Sequence, residues 1–158
     1  MKRHIVLGVC ASALIASSAL AETAPADVQY DSGAVAMSIS DAAGNIDEGK
    51  KVMSTRSLGN CVACHAVSDM PDVAFQGNVG PALDGVGDRW SEAELRGIVS
   101  DAKMTFDGTI MPSFYKKSGY IRPGDAFTGK AAAEADLSTL LTAQQIEDVV
   151  AYLVTLKE

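Results

Sequence analysis

Histidine and cysteine are scarce in this chain: 158 residues contain two His and three Cys. A structural zinc site needs four ligands, usually Cys and His. His4 and Cys10 fall in a leader-like N-terminus, which leaves Cys61, Cys64 and His65 and no fourth ligand of the usual kind. Basic residues are also short, with 13 Lys and Arg against 20 Asp and Glu and a formal charge of −7. That balance argues against nucleic acid or anionic lipid as partner, and for a surface that is at least locally basic. Nothing alternates strand and helix, the βαβ setting that a thioredoxin-like Cys pair requires. No second long hydrophobic run follows the first, and no second domain is needed to account for the length.

The first hydrophobic run reads as a secretory leader. Lys2, Arg3 and His4 form a positive start, residues 5–20 are apolar or small, and Ala19-Leu20-Ala21 fits the small-x-small cleavage rule. Cleavage is expected after Ala21, so that residues 1–21 are a removed signal peptide and the mature protein is periplasmic. A transmembrane anchor is the competing reading, but the run is short and interrupted by Ser12, Ser17 and Ser18. Loss of Lys2 and Arg3 takes the formal charge from −7 to −9.

What is present is Cys61-Val62-Ala63-Cys64-His65. Two thiols separated by two residues, with a histidine directly after the second, form the attachment signature of a c-type haem. Each thiol can add to one vinyl group of a single porphyrin, and the next residue then lies where its imidazole can bind iron. A redox dithiol or an unusual metal site are the alternatives.

Around this motif the sequence predicts an all-α domain. Residues 22–44 are small, polar and acidic; they read as an extended arm, either a disordered linker or a segment ordered against a partner through Val35, Met37 and Ile39. A first helix is predicted from Asn45 to about Ser57, with Gly49 inside it to admit a crossing helix. Residues 78–90 read as a glycine-rich loop. Ser91-x-x-Glu94 opens a second helix, whose Leu95, Ile98, Val99 and Ala102 share a face and suit a cofactor wall. Residues 113–138 are again loop-like, with Lys116, Lys117, Arg122 and Lys130 as a solvated surface or a docking patch. Thr142-x-x-Gln145 caps the last helix, with Ile146, Val149, Val150 and Leu153 on one stripe. Lys157 suits its dipole, and Tyr152 is placed to rest in the notch left by Gly49.

A second axial ligand is sought among the methionines, because removal of the leader leaves His65 as the sole histidine. Met111 is the candidate: Pro112 has no amide hydrogen and pushes Met111 out of helical geometry, onto a loop where its thioether can point inward. Core filling is the ordinary use of any Met. Met104 is a second candidate, Met53 belongs to the first helix, and Met70 follows the haem motif too closely. Another ligand or an open position stays a further alternative.

The order of these elements resembles class I cytochrome c. In that family the Gly80-Pro81 pair orients the haem histidine through a backbone carbonyl, which would increase the basicity of His65, and Arg89 and Trp90 fall where such proteins contact haem propionates. The runs 59–65 (GNCVACH), 80–90 (GPALDGVGDRW), 110–115 (IMPSFY) and 141–153 (LTAQQIEDVVAYL) are similar to the monohaem subunits of the SoxAX cytochromes of bacterial sulfur oxidation. The likeness spans residues 45–158, taken as the cytochrome c domain.

The resemblance implies a heterodimer with a haem-bearing SoxA, acting as L-cysteine S-thiosulfotransferase. That enzyme conjugates thiosulfate oxidatively to a cysteine of the carrier SoxYZ. Here the implied role is to accept electrons and pass them to a small periplasmic acceptor such as another cytochrome c. With His65 and Met111 both on iron no site is open to substrate, so no residue of this chain is assigned a catalytic role and the bond-forming chemistry falls to SoxA. A free periplasmic electron shuttle would share every haem residue named here.

Overall fold

A computed structural model describes residues 22–125, 128–133 and 137–158. The expected signal peptide, residues 1–21, lies outside them. Among the described residues there are four α-helices: α1 (Ile46–Ser54), α2 (Val86–Arg89), α3 (Glu92–Asp101) and α4 (Ala143–Leu153). Single 3₁₀ turns lie at Pro25–Asp27, Cys61–Ala63 and Ala102–Met104, and among the described residues β-pairing is limited to the isolated bridges Asp31–Ala34 and Gly124–Ala131.

The helix starts obey capping chemistry. Ser91 and Thr142 each close a reciprocal box with Glu94 and Gln145, satisfying amides that a helix N-terminus leaves unpaired. At α1 the box is only half local. Asn45 accepts from the amides of Asp47 and Glu48, but its own amide donates to Asp148 Oδ1 on α4, at 2.8 Å. That helix stops at Ser54, three residues before the predicted end. Ser54 and Thr55 hydroxyls bond back to the carbonyls of Lys50 and Lys51 at 3.0 and 2.7 Å, and residues 55–58 close a turn through Leu58 N to Thr55 O. Such local bonds compete with helix continuation.

The core forms where α1 crosses α4. Ile146, Val149, Val150 and Leu153 are all at most 5% exposed, each contributing about 1.5–3 kcal/mol by burial. Gly49 is what lets the helices touch: a Cβ there would stand 1.9 Å from the carbonyl oxygen of Asp148 and 3.0 Å from Cβ of Tyr152. Tyr152 does pack at this notch, as expected, and its hydroxyl donates to Asp69 Oδ2 at 2.8 Å.

The arm settles on this body. Val28, Val35 and Ile39 are buried while Met37 is 78% exposed, so the strand-like face expected of Val35, Met37 and Ile39 is broken at Met37, and no strand forms there. Arg96 of α3 and Glu147 of α4, both buried, pair at 2.8 Å. Arg96 Nη1 also donates to Val35 O at 3.0 Å, and Glu147 Oε1 accepts from Ile39 N at 2.9 Å. Val35 O and Ile39 N are thereby bonded from within the chain, so the arm is ordered on the domain and is not the disordered linker its composition suggested.

Two smaller expectations also change. The run 78–90 contains the short helix α2, entered through Gly85 at φ +66° and tied to the chain end by Gly87 N to Leu156 O. Lys157 lies four residues beyond α4 and faces Asp88 at 3.8 Å instead of the helix terminus.

Candidate functional site

The pentapeptide begins with Asn60 in the left-handed region, φ 48° and ψ 35°, which Asn tolerates better than most residues. Cys64 N and His65 N both donate to Cys61 O at 3.0 Å, so the segment is one tight turn, pinned to the core by buried Val62. Both thiols and the imidazole line a cavity of about 880 Å³, within the range of about 300–1,000 Å³ usual for cofactor sites. The thiols are free and not joined to each other. Burial pushes the Cys61 thiol up to about 12, so it is protonated at neutral pH. Among the described residues no cluster of three His, Cys, Asp or Glu forms a bare metal site.

The loop after the motif holds the imidazole. Pro81 O lies 2.7 Å from His65 Nδ1, which makes Nδ1 the protonated nitrogen and leaves Nε2 free to bind a metal. Gly80 presses on the ring; a Cβ there would be 2.3 Å from His65 Cε1. Arg89 lines the cavity, but its guanidinium donates to Asp84 O at 2.6 Å and Ala82 O at 3.1 Å, so what the structure shows is a brace on the loop that carries Pro81. Gln76, which the sequence did not single out, pins the same region by accepting from Val67 N at 2.6 Å and donating to Met70 O at 2.8 Å.

Met111 lines the same cavity as His65. Its amide donates to Thr109 Oγ1 at 3.2 Å. Among the other methionines Met104 is 50% exposed and Met70 is buried in the core, and neither lines the cavity; Met53, buried in α1, lines it too. The walls are apolar. Ile98 and Val99 come from α3, Val149 and Leu153 from α4. Trp90 and Phe106 meet edge to face, centroids 5.8 Å apart, at its margin. Two cysteines, an imidazole oriented through its second nitrogen and a thioether, gathered on one apolar cavity, fit a haem held by two sulfurs.

The cytochrome c family model matches residues 46–157. The chain belongs to the cytochrome c family, electron-transfer proteins, and its cofactor is haem c. More particularly, it is similar to a chain in the crystal structure of SoxXA from P. pantotrophus, with 62% identity and a TM-score of 0.84 over 87% of this chain and 100% of that chain. Among curated proteins none matches.

Proposed function

We propose that this chain is the monohaem electron-transfer subunit of a SoxAX cytochrome, exported to the periplasm after loss of residues 1–21. In this reading it works as a heterodimer with SoxA in the oxidative conjugation of thiosulfate to a cysteine of SoxYZ. Cys61 and Cys64 would hold the haem through thioethers, and His65 and Met111 would supply the protein ligands to its iron. When bound, haem supplies a reversible one-electron couple. Pro81 keeps His65 in one tautomer and one orientation. Arg89, already bracing the loop, offers its remaining N–H donors to a propionate.

The observation that carries the proposal is the convergence of His65 and Met111 on one cavity, beside a 62% identical chain from SoxXA. Two protein ligands would leave no position for a sulfur substrate, and the walls from α3 and α4 are apolar, which suits electron passage and not bond formation. Substrate chemistry falls to SoxA, and a small periplasmic cytochrome is the onward acceptor. Co-expression with SoxA followed by size-exclusion chromatography tests the assembly: co-elution is expected, and a monomer beside unbound SoxA would favour a free shuttle. In the same preparation, thiosulfate plus SoxYZ should reduce this haem only when SoxA is present.

A further inference from the structure

The methionine loop carries its own fastening, built from residues that touch no part of the cavity's haem-attachment turn. Lys103, in the 3₁₀ turn that extends α3, places Nζ 2.5 Å from Met111 O. Two residues on, Ser113 Oγ donates to Asp101 Oδ1 at 2.6 Å; four residues on, Tyr115 N donates to Ser100 O at 2.9 Å. Asp101 in turn accepts from Lys103 N at 3.2 Å, so both ends of the fastening share one short turn. Between them, Pro112 has no N–H to contribute. Of these bonds only that of Lys103 grips Met111 itself from another element, and it is charge-assisted.

We infer that Lys103 is a positioning residue for the axial methionine: its ammonium holds the Met111 carbonyl and thereby sets how often the thioether leaves the iron. The inference rests on the reading of Met111 as ligand. Lys103 is exposed and does not itself line the cavity, so its removal acts through the loop that carries Met111. A charge-assisted bond at an exposed site shifts the closed-to-open ratio of the loop by about tenfold.

The test uses the haem-loaded protein with Lys103→Met, Lys103→Arg and Met111→Ala. Imidazole binds ferric haem only where the methionine has left, so its apparent affinity scales with the open fraction. Lys103→Met is expected to tighten imidazole binding about tenfold and to lower the denaturant midpoint at which the thioether-to-iron absorption band is lost, with the far-UV circular dichroism midpoint unchanged. Lys103→Arg, which keeps a cationic donor, should stay within about twofold of the parent. Met111→Ala should lack the band while keeping the haem covalently attached. Persistence of the band in Met111→Ala would show that the ligand assignment is what failed. An unchanged imidazole affinity in Lys103→Met, with the band absent in Met111→Ala, overturns the role of Lys103 alone.

Discussion

Replacing Gly49 with alanine sets two effects of opposite sign against each other. Helix propensity favours alanine by about 1 kcal/mol in the interior of α1. Against it stands a new Cβ only 1.9 Å from Asp148 O, a backbone atom that cannot rotate away. Ordinary contact begins near about 3.5 Å, so α1 and α4 must part by roughly 1.5 Å. Overpacking of this kind costs about 1–3 kcal/mol. Parting also loosens the 2.8 Å bond from Asn45 N to Asp148 Oδ1, worth about 1 kcal/mol. The net is a loss of about 1–3 kcal/mol, equivalent to a fall in Tm of roughly 3–12 °C for a domain of this size. Thermal unfolding of the haem-loaded variant, followed by far-UV circular dichroism, reads it directly. Lys51→Ala on the exposed side of α1 serves as control and should change stability by less than about 0.5 kcal/mol. A Tm for Gly49→Ala equal to or above the parent's would refute the close crossing.

Gly80→Ala inserts a methyl 2.3 Å from the His65 ring; covalent haem should remain, judged by mass, while the absorption spectrum loses its purely low-spin character. Glu147→Ala leaves buried Arg96 with only the exposed Glu92 as carboxylate partner and removes the acceptor for Ile39 N. The expected cost is about 3–5 kcal/mol, with chymotrypsin cleavage at Tyr30 appearing before the rest of the domain opens; an arm as resistant as the parent's would count against the anchoring described. The Asp69 carboxyl is held below the usual range, first by the hydrogen bond from Lys50 and then by that from Tyr152. A depressed folded value contributes stability that is fully present above the unfolded value of about 3.9 and is lost as pH falls toward the folded one. Asp69→Asn should therefore flatten the acid limb of the stability profile below about pH 4 and leave the neutral region's slope unaltered.

The residues that bear chemistry were legible because their constraint is local. Cysteine spacing fixes the turn at 61–65, Pro112 fixes the backbone of Met111, and Ser91 and Thr142 cap their helices through partners three residues away. What escaped depends on distant partners. The arm has no helical period, its short alternation at Val35, Met37 and Ile39 fails at exposed Met37, and its order comes in part from buried Arg96 and Glu147, which no local pattern marks. Lys157 suited a helix dipole on paper, but α4 ends too early to use it. Arg89 and Gln76 act by bonding to backbone carbonyls and amides across a loop, an arrangement that leaves no residue pattern. Lys103 belongs to the same class, since its acceptor is a carbonyl that any residue at position 111 would supply.

Ile39 and Asn45 donate their amides to carboxylates 108 and 103 residues downstream. The arm therefore has nowhere to dock until α4, about a hundred residues further along the chain, has been made as well. Closure of such distant contacts is slow relative to local helix formation, and it leaves an interval in which the two thiols at 61 and 64 already exist outside a finished core, open to modification before the cavity shuts around its cargo.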